Sequence, residues 1–212
     1  MTGTQGQLGK VSRRLESASR DSRPVRVLLA AQSYGTDLPD LWEAVTAPER
    51  LSRWFLPVSG DLRLHGRYQV EGNASGQVLA CDPPNSYSIT WEFGGDVSWV
   101  EVSLTAEPSG RPTLELRHSA QVEDERWREF GPGAVGIGWD TTLLGLAQHL
   151  GADLGVGPSN AAAWMASDDG KQFITRSGQH WQAAAVAAGE EPGQAAAAAH
   201  RCIAAYTGEP PR

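Results

Sequence analysis

The sequence is poor in the features that mark several protein classes. It has only two cysteines, Cys81 and Cys202, far apart in the chain. Two distant thiols make no disulfide framework, so both are expected to be reduced and packed. No stretch approaches the roughly 20 apolar residues of a membrane span, and the opening "MTGTQGQLGKVSRRLESASRDSRP" lacks the apolar core of a signal peptide. Positive charge is also short: 18 Lys and Arg against 25 Asp and Glu leave a formal net charge of −7. Nucleic acid and anionic membrane each demand a basic face, so neither is expected as the main partner. These absences together lead to the expectation of a soluble, cytoplasmic protein.

Catalytic signatures are missing too. There is no glycine-rich phosphate loop, no paired C-x-x-C, no H-E-x-x-H and no G-x-S-x-G elbow. The five histidines, His65, His118, His149, His180 and His200, lie far apart. Neither a cofactor nor a metal site is expected from this pattern.

What is present is a globular composition, 40% hydrophobic and 20% charged over 212 residues, with eight tryptophans. That suits one ordinary domain plus an extension, with enough bulk for a core and a pocket. Each tryptophan can bury on the order of 200 Å², up to about 5 kcal/mol of transfer free energy.

Residues 1–22 are polar and predict a loosely held N-terminal segment. "VRVLLAAQSY" from Val25 alternates as a strand with two fairly apolar faces. Two short helices follow in "GTDLPDLWEAVTAPERLSRWF". Asp37 is placed to cap the first, and Thr46 with Glu49 forms a capping-box pattern for the second. A DNA-reading role for this hairpin is disfavoured, because its second helix is short and apolar. "DLRLHGRYQV", "GQVLACD", "SYSITWEF", "VSWVEVSLTA" and "PTLELRHSAQV" then read as turn-linked antiparallel strands, with Gly66 at a bulge or bend.

Helical spacing takes over with Val135, Trp139, Leu143, Leu146 and Leu150. Gly133, Gly136, Gly138 and Gly145 fall in or at the start of this helix, each interior one costing about 1 kcal/mol relative to alanine. They predict close backbone approach to a neighbour or an irregular first turn beside a cavity. From Gly151 the chain turns to Ala, Gly and Ser, and predicts three more helices with faces too thin to fold alone.

The order is strand, helical pair, antiparallel strands, long helix, and predicts an α+β helix-grip fold in which a curved sheet wraps the helix. "LWEAVTAPERLSRWF", "GDLRLHGRY" and "CDPPNSYSITWEF" resemble the activator of heat-shock-protein-90 ATPase homologue-like branch of the START/Bet v 1-like (SRPBCC) superfamily. "FGPGAVGIGWD" and the Ala-rich tail are similar to its bacterial members. The family form carries a glycine pair where this chain has His65-Gly66. The chain is thus divided into a polar segment over 1–22, a helix-grip domain over 23–150, which the resemblance covers from about residue 25, and an Ala-rich helical extension over 151–212 expected to pack on it. The resemblance implies a cavity between sheet and long helix able to hold an apolar molecule. Fold and function separate widely in this superfamily, which includes cyclases, aromatases, lipid carriers and a chaperone activator.

The polar candidates lie in the last two strands. His118 alternates with Leu114, Leu116 and Ala120, and would face the cavity if that face is concave. It would then orient a ligand or act as acid or base; otherwise it is a core histidine. Glu101 shares a face with Val97, Trp99 and Ser103, and is either its catalytic partner or a solvated carboxylate, depending on whether Val100, Val102 and Leu104 are the buried face. Trp54, Tyr68, Trp91, Trp99 and Trp139 are the lining candidates, with core packing the competing role. Trp127, Glu129 and Phe130 could form a lid or seal the core. Arg63, His65 and Arg67 could be a docking patch or a solvated face. The function expected is binding of an apolar or aromatic small molecule. The alternatives are a cyclase, aromatase or hydrolase using the same cavity, and a chaperone-interacting protein.

Overall fold

Eight strands join into one antiparallel sheet in the computed structural model, which describes residues 3–107, 110–152, 154–155 and 159–209. The strands are β1 (Ser12–Arg20), β2 (Arg23–Ser33), β3 (Val58–Gly60), β4 (Arg67–Val70), β5 (Ser75–Asp82), β6 (Ser86–Phe93), β7 (Asp96–Thr105) and β8 (Thr113–Ala120). Their order across the sheet is β1-β2-β8-β7-β6-β5-β4-β3. The helices are α1 (Gly3–Leu8), α2 (Leu38–Thr46), α3 (Pro48–Leu51), α4 (Asp124–Phe130), α5 (Gly133–His149), α6 (Ala161–Ala166), α7 (Asp168–Ala187) and α8 (Pro192–Thr207). No helix of the described residues is long and apolar enough to cross a membrane.

The pleat sorts the strand residues. Leu28 and Ala30, Val100, Val102 and Leu104, and Leu114 and Leu116 face inward, where α5 contributes Trp139, Leu143 and Leu146. On the outer face Val25, Val27 and Leu29 form a smaller cluster with Ala18 and Trp99. That cluster explains why both faces of β2 are apolar. Helix α2 closes one end of the core through Leu41, Ala44 and Val45, and α3 follows it with no buried residue. The Trp54 indole N–H donates to Ala44 O at 2.9 Å and ties the two helices together. Asp37 caps α2 by accepting from Asp40 N, but α3 has no side-chain cap: Ala47 holds the N-cap position and the Thr46 hydroxyl donates instead to Trp42 O.

Two expectations fail locally. "DLRLHGRYQV" is not one strand. Its first half is a turn, with His65 at φ 65°, and Leu62 and Leu64 lie exposed. Gly66 sits so close to Asp61 that a Cβ would stand 2.1 Å from its carbonyl oxygen, so the turn has no room for a side chain there. Residues 12–20 are not a loose tail either. They pair along their whole length with β2 through a turn in which Asp21 and Ser22 both have positive φ, 50° and 62°. Polar "SRRLESASR" earns its place by ladder hydrogen bonds and by one buried side chain.

That side chain is Arg13. It forms an ion pair with Asp140 of α5 at 3.0 Å, with only 4% and 0% of the two side chains exposed. Asp140 also accepts from the Ser177 hydroxyl and the Trp181 indole of α7. The same guanidinium donates to Val11 O and Leu8 O. Burial pushes the Asp140 carboxyl up, against the Arg13 charge and these hydrogen bonds. One pair therefore joins the N-terminal strand, the long helix and the extension.

The α5 glycines have two uses. A Cβ on Gly136 would stand 2.4 Å from the Trp181 ring, and one on Gly145 2.6 Å from Trp54 O. These are close approaches. Gly138 has no such neighbour, its nearest atom being the Tyr206 hydroxyl at 3.4 Å. In the C-terminal segment, α7 lies on α5 and β1, and α8 on α7, α4 and α5.

Two outcomes follow for urea unfolding. Gly136→Ala should cost about 1–3 kcal/mol by overpacking Trp181, whereas Gly138→Ala should be neutral or stabilise by up to about 1 kcal/mol. Arg13→Met alone should cost about 3–5 kcal/mol by leaving Asp140 unpaired. Arg13→Met combined with Asp140→Leu should recover much of that loss.

Candidate functional site

The inner face of the sheet is filled along only part of its length. The leucine-rich C-terminal half of α5 packs tightly against it. The N-terminal half, "GAVGIGW", has small residues and stands off. Between that half, the sheet and α4 lies an open cavity of about 1020 Å³. Trp91, Trp139, Phe55, Phe130 and Leu28 supply much of its apolar wall, and Ser98 and His118 its inner polar groups. Among the described residues, seven large hydrophobics are exposed, and four of them, Phe93, Val97, Val135 and Tyr206, border this cavity.

His118 is 7% exposed and sits at the centre of a short relay. The Trp139 indole N–H donates to its Nδ1 at 2.9 Å. An indole only donates, so Nδ1 is the acceptor and the neutral ring carries its proton on Nε2. Nε2–H then faces Ser98 Oγ at 2.8 Å, and the Ser98 hydroxyl donates to Trp91 O at 3.2 Å. Burial lowers the His118 pKa to about 4, so the ring is uncharged near neutrality. The direction of this relay matters for chemistry. A histidine that activates a serine must accept its proton, and here the accepting nitrogen is already taken by Trp139. The arrangement orients and donates; it does not generate a nucleophile.

The wall formed by α4 is pinned from outside. Trp127 Nε1 donates to Glu190 Oε1 at 2.7 Å, and the Arg26 guanidinium lies 4.5 Å from its ring centre. Arg26 also pairs with Asp124 at 2.8 Å, and Arg126 with Asp96 at 3.0 Å across the mouth. From α8, Arg201 donates to the carbonyls of Arg128 and Glu129. Cys202 packs beneath, its thiol raised to about 11 by burial and donating to Phe130 O. Cys81 is exposed and unbridged. Among the described residues no group of three or more His, Cys, Asp or Glu is placed to hold a metal ion.

The cavity brings together His118, Trp91 and Trp139 of the candidates named from sequence, and leaves four outside. Glu101 and Trp99 project from the outer face, because Val100, Val102 and Leu104 take the inner one. Glu101 lies 3.9 Å from Arg117 in an exposed charge ladder, and Arg20 stacks over Trp99 at 4.4 Å. The acid/base pair of His118 and Glu101 is thus split by the sheet itself. Trp54 is spent on joining α2 to α3, and Tyr68 is buried with its hydroxyl donating to Thr90 O at 2.6 Å. Trp127 and Phe130 line the cavity while Glu129 does not. Arg63 and Arg67 pair on the surface with Asp61 and Glu92. Ser98, Phe93, Val97 and Val135 were not singled out, although the parity that buries Val100 also turns Ser98 inward.

His118 gives a pH dependence with a defined sign. Between about pH 6.5 and 4 the unfolded chain takes up a proton that the folded ring refuses. Stability is therefore complete above that window and falls as pH drops through it, by about 3 kcal/mol in all. His118→Gln keeps an acceptor for Trp139. It should flatten the pH profile of the urea unfolding free energy over that window relative to wild type, by about the same amount. His149 and His180 are also lowered by burial, so the comparison between the two proteins isolates His118.

The profile of the family described as "Activator of Hsp90 ATPase homolog 1-like protein" matches residues 36–151, slightly more than half of the chain. The solution NMR structure of CalU16 from Micromonospora echinospora is 31% identical, with a TM-score of 0.69, over 85% of this chain and 97% of that one. Its crystal structure gives 28% identity and a TM-score of 0.67 over 82% and 97% of the two chains. Protein MLL2253 from Mesorhizobium loti shares the fold at 23% identity and a TM-score of 0.53, over 59% of this chain and 96% of its own. No functionally curated protein matches the chain. The likeness to CalU16 reaches well beyond the family match, so it takes in part of the flanking segments as well as the grip.

Proposed function

The chain belongs to the activator of Hsp90 ATPase homolog 1-like family, and from that premise we propose that it binds an apolar or aromatic small molecule between the sheet and α5. The observation that carries this reading is the cavity. At about 1020 Å³ it is at the upper end of the size of small-molecule sites, and it is walled mainly by aromatic and aliphatic side chains. Its rim concentrates four of the exposed large hydrophobics of the described residues, which a ligand would cover. Two tryptophans, Trp91 and Trp139, meet at 5.4 Å between ring centres with their planes tilted by 59°, and so form an apolar corner of the wall. The neutral His118 relay adds polarity without charge, so an uncharged ligand enters without desolvating an ion.

A chemical role is less well supported. Glu101 stands on the opposite face, and His118 has no carboxylate partner in the cavity. Binding without turnover is the simpler use of these groups.

The test is titration with the apolar fluorophore N-phenyl-1-naphthylamine. Saturable one-to-one binding, with quenching of the tryptophan emission, is the expected result. Val135→Trp adds an indole to the cavity wall and should weaken binding tenfold or more while the protein still unfolds cooperatively. Absence of saturable binding to the wild type would overturn the proposal.

A further inference from the structure

The hydroxyl groups on the cavity wall share one polarity. Ser98 accepts from His118 Nε2–H and donates to Trp91 O. Thr142 donates to Gly138 O at 3.0 Å, and Tyr206 donates to Ala134 O at 3.1 Å. All three protons are committed to backbone carbonyls of the protein. A hydroxyl has one proton and two lone pairs, so what each retains is acceptor capacity. The His118 ring is likewise closed: Nδ1 accepts from Trp139 and Nε2–H is given to Ser98. At the inner polar point of the cavity, then, the free capacity is a lone pair on Ser98 Oγ.

Resting on the binding role above, we infer that the preferred ligand is a neutral apolar molecule that carries a hydroxyl donor, a phenol or alcohol, which hydrogen-bonds to Ser98 Oγ. A ligand donor uses a lone pair that is already free. A ligand carbonyl or ether would have to draw the Ser98 proton away from Trp91 O, exchanging one hydrogen bond for another with no net gain. The Trp91 indole N–H has no protein partner among the described residues; a hydroxyl and an ether oxygen can both accept from it, so Ser98 is the group that separates the two. A carboxylate is disfavoured. No cation stands beside Ser98 and His118; of the arginines that line the cavity, Arg26 and Arg126 are engaged by Asp124 and Asp96, and Arg23 lies exposed at the rim.

Three ligands of one size separate this inference from the binding role it rests on: naphthalene, 2-naphthol and 2-methoxynaphthalene, titrated by tryptophan fluorescence at pH 7. Naphthalene binding reports the cavity alone. 2-Naphthol should bind about five- to tenfold more tightly than either of the others, the value of one hydrogen bond. 2-Naphthoate should bind at least tenfold more weakly than 2-naphthol. In Ser98→Ala the advantage of 2-naphthol over 2-methoxynaphthalene should vanish, and Ser98→Thr should restore it. If naphthalene binds but 2-naphthol gains nothing over its methyl ether, the donor inference is wrong and the cavity reading stands. If the advantage survives in Ser98→Ala, Ser98 is not the acceptor. If none of the probes binds, the cavity reading fails and takes this inference with it. The wild-type comparison needs no variant, so a poorly folding Ser98→Ala would not rescue the inference.

Discussion

The buried pair of Arg13 and Asp140 is the constraint on which the arrangement turns. Two ions with essentially no solvent contact cost several kcal/mol each to dehydrate. Their mutual attraction offsets this only when the remaining donors and acceptors are satisfied. Here they are, by Val11 O, Leu8 O, Ser177 and Trp181. Those partners come from the N-terminal segment and α7, while the pair itself joins β1 to α5. A buried pair of this kind adds little net stability compared with apolar residues of the same volume, but it tolerates few alternative placements. It fixes α5 against the sheet edge and α7 against α5, and Gly136 supplies the space for Trp181 to take part.

With α5 fixed, its two halves divide the interior. The end rich in leucine closes on Val102, Leu104 and Leu116, and the end rich in glycine does not. His118 lies at the boundary. The residues before it on β8, Leu114 and Leu116, are core, and it is the first inner residue of that strand to border the cavity. Trp139 marks the same boundary from the helix side, so the hydrogen bond between them closes the core and floors the cavity at once.

Much of this was legible in the residues. The change from period two to helical spacing gave the grip architecture, and the interior glycines of α5 pointed to close approach or to a cavity. The structure has both, at Gly136 and Gly145 for the first and along Gly138 for the second. What was not legible has physical causes. Arg13 and Arg14 are adjacent and alike, yet their side chains are 4% and 60% exposed. The pleat points them to opposite faces, and only the partners across the fold decide which face is inside. The same ambiguity of parity left Glu101 and Trp99 among the site candidates. Their neighbours Val100 and Val102 held the answer, but a strand with apolar residues on both faces does not declare which one is concave.

The α4 wall has a consequence for how the parts of the chain depend on one another. Its outer supports are Arg201 and Cys202 from α8 and Glu190 from the turn before it. The cavity therefore draws on α8 as well as on residues 23–150: α8 packs on α4 and contributes Tyr206 to the lining. On the proposed binding role, occupancy of the cavity and docking of the alanine-rich segment would be thermodynamically linked, each favouring the other by the same free energy. Substitutions on α8 that never meet a ligand would then alter its affinity, and the extension is a component of the site.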